Sequence, residues 1–421
     1  MNTKIRQIIL GSKSARRIEI LKEAQLDILM TSVDIDETPK SHLTLDQRIL
    51  EIADRKMQTL LKASLDSTSA FPETSFPWIL ITADTMVCFE DKTFGKPSSL
   101  EEAIQTLKFL SNKTHQVKTA VCIFDQLTNK QISFIETTHI TFKKLTDQQI
   151  TDYVLTYKPL DKAGSYGIQE SANEFIDSIQ GDYLNVVGLP LAKLLKTIFM
   201  EFGFLKTIES TTYKTLINQI SDPTVSVVAV SKLQSIEKIL TLYNQGQKDF
   251  AENYVQEAID KIKQLDGLDI RWHFIGNLQK NKVKYLKNFF WLIHSVDSLS
   301  IAKLLNEKCN QLNHKQNILI QVNLANEESK SGFSIVHFNN QLTEFDKFKN
   351  LCVMGLMTMP PLQNSAENNR IYFKNLNDLA KQHQFKYLSM GTSHDFKIAL
   401  EEGSTCVRLG TVLFGERKKV M

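Results

Sequence analysis

Beyond Pro223 the chain repeats one pattern eight times, a short apolar run followed by an amphipathic or polar connection. The runs are VSVVAVSK, KDFAEN, WHFIGN, FWLIHSVD, ILIQVN, CVMGLMTM, YLSMGTS and TCVRLGT, in that order. Segments such as SIEKILTLYNQG, SIAKLLNEKCNQL and NNRIYFKNLNDLAKQH separate most of them, with apolar residues at helical spacing. Short strands of this kind alternating with helices predict a closed parallel barrel. Such barrels keep their chemistry at the carboxyl end of the strands, and each run finishes there in polar or glycine residues. The first run delivers Lys232 directly at that end.

Before Pro223 the pattern is irregular. QIILGS, WILITADTMVCF, KTAVCIFD and the hairpin-like pair QISFIETTHITF read as strands, with RRIEILKEA and LEEAIQTLKFL as helices between them. This predicts an α/β domain on a mixed sheet. The polar stretch LKASLDSTSAFPETSF reads as a surface loop. A polar, helix-compatible segment from Thr207 to Ser221 follows the apolar run LPLAKLLKTIFMEFGF and ends at Asp222-Pro223. The boundary is therefore placed near Phe204, giving domains 1–203 and 204–421. Two domains also suit a chain of 421 residues.

With 42% hydrophobic and 23% charged residues, each part can bury a core of its own. A net charge of +3 without a basic run argues against a nucleic-acid partner. The start, MNTKIRQIILGSKSARR, has too short an apolar run for a signal peptide or membrane anchor, so a cytoplasmic protein without membrane contact is expected. Cys88, Cys122, Cys309, Cys352 and Cys406 are scattered, mostly in apolar runs, and read as reduced core residues.

A lone lysine at a strand end is usually a solvated cap, but Lys232 has company. The eighth run ends in Arg408-Leu409-Gly410-Thr411 and the seventh in Ser389-Met390-Gly391-Thr392-Ser393. Glycines and hydroxyl residues at adjacent strand ends can form a cup for a phosphate monoester. A lysine across the barrel, an arginine beside the cup and a phosphate site suit pyridoxal 5'-phosphate. Asn253 and His273 read as strand-end residues that either line the pocket or pack against it.

Here a resemblance becomes close. VAVSK, ENYVQE, WHFIGNLQKNK, IHSVDS, KSGF, GLMTM and SMGTSHDFKIALEEGSTCVRLGTVLFGER make residues 207 to 417 resemble the YggS family of pyridoxal-phosphate-binding proteins, called PROSC in animals. The resemblance implies a TIM-type (β/α)8 barrel like the alanine racemase N-terminal domain. It also implies that Lys232 is the Schiff-base lysine, that Ser393, Gly410 and Thr411 hold the phosphate, and that Arg408 faces the pyridine nitrogen. A guanidinium there keeps the ring a poor electron sink, which argues for a cofactor carrier over demanding chemistry. Leu233 and Ser235 depart from the usual Thr and Pro, Ala251 from a glycine and Thr392 from a methionine.

In the first half, GSKSARR places Ser12, Ser14, Arg16 and Arg17 at a strand-to-helix turn. The acidic cluster Asp34-Ile35-Asp36-Glu37 follows, then Lys56, the strand-end motif Ala83-Asp84-Thr85, and Gly95-Lys96-Pro97. Spaced cations with carboxylates suit metal-assisted attack on a phosphoanhydride. SARR, VDIDET, ADTMV, FGKP, DKAGSYGIQES and FIDSIQGDYLNVVGLPL resemble the Maf family of nucleoside triphosphate pyrophosphatases, from residue 5 to about residue 200. The resemblance implies Asp84 as general base, Glu37 and Asp84 as holders of a divalent metal (magnesium or manganese), and Ser12, Arg16, Lys56 and Lys96 on the phosphates. Gln169 would read the base. The arginine of SARR and the glutamine of GIQ resemble the branch that prefers dTTP and UTP; Ala15 replaces the family's proline. Relatives of this half often pair, which leaves a homodimer through it open. The alternative to this bifunctional reading is a non-catalytic, nucleotide-binding regulator of cell division fused to a weak racemase.

Overall fold

The twelve residues of Trp78–Phe89 form the spine of the amino-terminal sheet, because their β-branched and apolar side chains bury nearly all of one strand. In this computed structural model the described residues are 4–38, 43–65, 71–208, 211–220, 222–286, 288–325, 331–361 and 363–416. Lys330 of KSGF and part of the expected surface loop, residues 66–70, lie outside them.

The first unit runs β1 (Gln7–Gly11), α1 (Ala15–Glu23), β2 (Ile28–Thr31), α2 (Leu45–Ser64), β3 (Trp78–Phe89), β4 (Lys92–Phe94), α3 (Leu100–Leu110), β5 (Thr114–Asp125), β6 (Lys130–Phe142), α4 (Asp147–Tyr157), β7 (Ile176–Gln180), α5 (Tyr183–Val187) and α6 (Leu191–Glu201). The sheet order is β2-β1-β3-β5-β6-β7, with β4 on β3. β1 is parallel to both neighbours and the remaining pairings are antiparallel, so the expected mixed sheet is present. Ile52, Met57 and Leu60 of α2 pack with Ile9, Leu80 and Cys122 of the sheet.

QISFIETTHITF is not a hairpin pair. It is one strand, β6, paired with β5 from Thr114↔Thr141 to Asp125↔Lys130. The turn lies before it at residues 126–129, where Asn129 takes a φ of 53°; no residue within IETTH favours such a reversal. Residues 61–64 of the expected loop are the last turn of α2.

Contacts divide the chain into Met1–Glu209 and Ser210–Met421. This falls after the 203/204 boundary placed from sequence, because residues 204–207 are stitched to the first unit. The Arg6 N–H donates to the Phe204 carbonyl (3.1 Å), the Lys206 N–H to the Arg6 carbonyl (2.8 Å) and the Asp27 N–H to the Lys206 carbonyl (3.0 Å).

The second unit opens with α7 (Thr212–Ile220) and continues β8 (Ser226–Val230), α8 (Ile236–Asn244), β9 (Asp249–Glu252), α9 (Val255–Gln264), β10 (Arg271–Phe274), α10 (Lys280–Val283), β11 (Leu292–Val296), α11 (Leu299–Gln311), β12 (Gln316–Gln321), α12 (Ile335–Gln341), β13 (Leu351–Met357), α13 (Arg370–Gln382), β14 (Tyr387–Thr392), α14 (Phe396–Glu401), β15 (Cys406–Leu409) and α15 (Thr411–Phe414). All eight strands lie within the runs read from sequence or overlap them, and they close in the order β8 to β15. Closure is the parallel pairing of β15 with β8, Cys406↔Ser226 to Leu409↔Ala229.

All five cysteines are free thiols; four are buried, but Cys352, the second residue of β13, is exposed. Among the described residues no helix is long and apolar enough to cross a membrane.

Ser14, just before α1, has extended backbone (φ −67°, ψ 112°) and Ala15 is the first helical residue. A proline at that position loses no intrahelical hydrogen bond and tolerates an extended predecessor. Ala15→Pro is therefore expected to stabilise the first unit by about 0.5 kcal/mol, read as a raised denaturation midpoint.

Candidate functional site

In the first unit β1 pairs with β3 only as far as Leu10↔Ile81, and β4 takes up the same edge of β3 only at Val87↔Phe94. Between these points lies a gap in the sheet, and Asp84 stands in it. Its motif is thus mid-strand, since β3 runs on to Phe89. Lys56, on α2, reaches the gap and holds two carboxylates at once, Asp84 Oδ1 at 2.8 Å and Glu37 Oε1 at 2.7 Å. Burial opposes the Glu37 charge, but the hydrogen bond and charge of Lys56, with Lys96 and Arg17 behind it, hold the Glu37 carboxyl below its ordinary value.

The two adjacent arginines of SARR separate. Arg17 is buried and donates from Nε to the Gly188 carbonyl (2.8 Å), from Nη1 to the Ala83 carbonyl (2.7 Å) and Ser12 Oγ (3.3 Å), and from Nη2 to Thr85 Oγ1 (3.0 Å). It is a strut joining the β1 turn, β3 and the end of α5. Arg16, about 100° further round the helix, lies at the surface with Asp161 at 3.7 Å. Lys162 bridges Asp161 (2.8 Å) and Glu170 (3.0 Å), and Gln169 is exposed in the adjoining turn. Lys96 is also exposed, following Gly95, whose carbonyl accepts from the Gly164 N–H (3.1 Å).

Glu37, Lys56 and Asp84 are therefore brought into contact, Lys96 acts on Glu37 through charge, and Ser12 contacts Arg17. Arg16 joins a second cluster of Asp161, Lys162 and Glu170, and Gln169 precedes Glu170 in the chain. The strut role of Arg17 was not assigned from sequence; the signal was the pair of arginines itself, which cannot both face one way on a helix.

In the second unit Lys232 follows β8 by two residues, in a turn clamped from below. Lys261 on α9 donates to the Ser231 carbonyl (2.6 Å), Glu252 Oε1 (2.8 Å) and Glu257 Oε1 (2.6 Å). Ser231 Oγ donates to Glu252 Oε1 (2.6 Å), and the Leu233 N–H donates to Glu257 Oε1 (2.6 Å). Burial pushes the Glu252 carboxyl above its ordinary value in spite of Lys261 and Ser231. None of these clamp residues stands out in the sequence, because each is an ordinary polar position on a helix or strand.

At the same end of the barrel, Asn253 has a buried Oδ1 with no hydrogen-bond partner among the described residues. Its backbone lies against Gly276 so closely that a Cβ at Gly276 would come 2.0 Å from the Asn253 carbonyl oxygen. Ser393 Oγ accepts from the Gly410 N–H (3.0 Å) and the Val412 N–H (3.4 Å), joining the seventh and eighth strand ends; Thr411 is exposed beside them. Thr392 braces this loop through Asp395, its N–H at 2.7 Å and its Oγ1 at 2.9 Å. Arg408 is buried on β15 and donates to Ser389 Oγ (2.5 Å), the Thr358 carbonyl (2.9 Å) and Met359 Sδ (2.9 Å). His273 is not at a strand end. It is the third residue of β10 and fully buried inside the barrel, between Asp249 and His294.

These residues fit the groups that the sequence implies. A Cβ at Gly410 would meet only Val230, at 3.7 Å or more, so the glycine leaves open space beside the cup. With an amine at the rim this arrangement suits a phosphorylated aldehyde, and the Asn253 oxygen can accept a hydrogen bond there. In the first unit two carboxylates flank one position held by a cation, the Lys56 ammonium. Magnesium is commonly bound by one or two carboxylates plus substrate phosphates, so two donors suffice for a cation that arrives with a triphosphate. Among the described residues no cluster of three or more His, Cys, Asp or Glu side chains forms a protein-only cage.

The model of the Maf-like protein family matches residues 7–200, and that of the alanine racemase N-terminal domain matches residues 212–418. The second half is similar to a pyridoxal phosphate homeostasis protein of Aquifex aeolicus, 43% identical over 46% of this chain and 87% of the relative. The first half is similar to a dTTP/UTP pyrophosphatase of Bdellovibrio bacteriovorus, 40% identical over 46% of this chain and 98% of the relative. A solved structure of PipY from Synechococcus elongatus with pyridoxal phosphate bound is 33% identical, covering 49% of this chain and all of that one, with a TM-score of 0.45.

The Lys56 contact gives a direct expectation. Glu37 is an acid whose folded value lies below its ordinary one, so its share of stability is present at neutral pH and is lost as pH falls through the folded value. In Lys56→Met the Glu37 carboxyl should titrate at higher pH than in the wild type, measured by carboxyl carbon NMR. An unchanged Glu37 titration would show that Lys56 does not set this charge.

Proposed function

The amino-terminal half of this chain belongs to the Maf family and its carboxyl-terminal half to the pyridoxal phosphate homeostasis family, and from that premise we propose two activities on one chain. The first unit hydrolyses pyrimidine nucleoside triphosphates, dTTP or UTP, to monophosphate and pyrophosphate. The second binds pyridoxal 5'-phosphate and holds it in reserve. Both halves act as a cytoplasmic protein.

The observation that supports the first reading is the convergence of Glu37 and Asp84 on one ammonium in the sheet gap. Asp84 takes a proton from a water molecule, whose oxygen attacks the α-phosphorus while the bond to the bridging oxygen breaks. The electron pair leaves with pyrophosphate. Arg16, Lys56 and Lys96 neutralise the phosphates, Ser12 donates a hydrogen bond to them, and Gln169 offers both a donor and an acceptor to a pyrimidine edge. A divalent cation held by Glu37 and Asp84 supplies further charge neutralisation when bound. Arg17 fixes Ser12, Thr85 and the Ala83 carbonyl around the reacting carboxylate. Its work is positioning.

The second reading rests on Lys232 at its clamped turn, facing the same barrel end as Ser393, Gly410 and Arg408. Pyridoxal phosphate supplies an aldehyde that condenses with a primary amine. Lys232 provides that amine, the cup of Ser393, Gly410 and Thr411 provides donors for the phosphate, and Asn253 offers its unpaired oxygen. Arg408, always charged, faces the ring nitrogen and disfavours its protonation.

Pyrophosphate release from dTTP or UTP with magnesium or manganese should fall by about 10²-fold or more in Asp84→Asn. Absence of pyrophosphate from any triphosphate with the wild type would leave only a nucleotide-binding role. Borohydride treatment of the pyridoxal-phosphate-loaded protein should leave a pyridoxyl group on the peptide carrying Lys232, and none there in Lys232→Ala. Sustained racemisation of alanine by the wild type would replace the carrier reading with an enzymatic one.

A further inference from the structure

The interior of the barrel contains a chain of polar side chains where branched apolar residues usually fill the space. It begins at the half-exposed Arg271, whose Nη2 donates to Asp249 Oδ2 at 2.6 Å. Asp249 Oδ1 lies 3.0 Å from His273 Nε2, His273 Nδ1 lies 2.9 Å from His294 Nε2, and His294 Nδ1 lies 2.7 Å from Ser389 Oγ. Arg408 Nη1 completes the chain at Ser389 Oγ, 2.5 Å. From Asp249 to Arg408 every member is buried, and the two imidazoles and Ser389 are fully so.

The direction of each hydrogen bond follows from the two ends. An ionised carboxylate only accepts, so His273 carries its proton on Nε2 and accepts on Nδ1. His294 must then donate from Nε2 and accept on Nδ1, which makes Ser389 a donor to it. From the other end, a guanidinium only donates, so Ser389 Oγ must accept from Arg408. Both ends demand the same arrangement. Burial favours neutral imidazoles at both positions and lowers both histidines from their ordinary value.

The chain also answers an energetic question. Arg408 is a buried cation whose hydrogen bonds reach a hydroxyl, a carbonyl and a thioether, none of them a carboxylate. An aligned row of neutral dipoles ending in the Asp249 carboxylate supplies part of the missing compensation without placing an anion against the guanidinium. Asp395, just beyond the carboxyl end of β14, adds a charge interaction with Arg408.

We propose that Asp249, His273, His294 and Ser389 are positioning residues for cofactor binding, a one-way hydrogen-bond relay that orients Arg408 and preserves its charge for the pyridine nitrogen. This rests on the reading that Arg408 faces that nitrogen.

Nitrogen-15 NMR of the histidines in the cofactor-free full chain tests the relay alone, with His273→Gln and His294→Gln used for assignment. Both rings should be neutral and protonated on Nε2 at neutral pH; a ring protonated on Nδ1, or on both nitrogens, overturns the proposal. The role at the cofactor is tested by titrating pyridoxal phosphate into His294→Phe, His294→Gln and Arg408→Leu. His294→Phe should weaken binding roughly tenfold or more and shift the absorption of the bound cofactor, and His294→Gln, which can donate and accept, should recover most of both. Ser389→Ala, a smaller change, carries the same expectation if the phenylalanine variant does not fold. Weakened binding in Arg408→Leu with wild-type binding in His294→Phe or Ser389→Ala overturns the relay. Wild-type binding in Arg408→Leu overturns instead the placement of Arg408 at the ring, whatever the NMR shows.

Discussion

Closure of eight parallel strands is the constraint from which the carboxyl-terminal site follows. The last strand must pair with the first, and the register Cys406↔Ser226 to Leu409↔Ala229 sets Gly410 beside the turn that carries Lys232. Residues distant in sequence become neighbours without any dedicated contact between them. The same closure brings inward-facing positions of β9, β10, β11, β14 and β15 into a common interior, and that is how Asp249, His273, His294, Ser389 and Arg408 come into one line.

The first unit reaches its site by the opposite means, an interruption of pairing. β1 stops at Gly11 because the chain turns into α1, and β4 begins to cover β3 only at Val87. The segment of β3 between them, without a strand partner on that edge, offers backbone carbonyls and side chains instead of a ladder. Arg17 occupies the Ala83 carbonyl, and Lys56 occupies Asp84. Gly11 is required there by space, since a Cβ would come 2.5 Å from Leu60 Cδ1 and 2.9 Å from Thr82 Cγ2. Strand β1 thus packs tightly on α2, and α2 in turn presents Lys56 to the gap.

How much of this was legible depended on the range of the interactions. The eight barrel strands could be read because each is a short apolar run bounded by polar residues, a local signal that survives folding. The positions of Lys232, Ser393 and Gly410 just beyond their strands could be read because each follows such a run. His273 was misplaced because which face of β10 turns inward is settled by pairing with β9 and β11 and not by composition. QISFIETTHITF misled for a related reason: its polar centre resembles a turn, yet in an antiparallel sheet with one wetter face such residues belong to the strand. The partners of Arg17 could not be read, since Ala83, Thr85 and Gly188 lie far along the chain, and Lys261 looks like an ordinary surface position until α9 is packed on the Ser231 turn.

The turn that carries Lys232 shows how such long-range contacts bear on chemistry. Leu233, the next residue, adopts a left-handed conformation with φ 59° and is largely exposed, so apolar burial does little to hold it there. That conformation costs a non-glycine residue about 1–2 kcal/mol. The hydrogen bond from its N–H to the Glu257 carboxylate, itself paired with Lys261, is of the charge-assisted kind that contributes about 1.5–3 kcal/mol. The two effects are of similar size, so the strained turn persists because Glu257 and Lys261 hold it. A lysine on a relaxed strand end would sample many orientations. One held between Ser231, fixed by Lys261 and Glu252, and Leu233, fixed by Glu257, leaves β8 in a single direction, and only its side chain remains to be oriented.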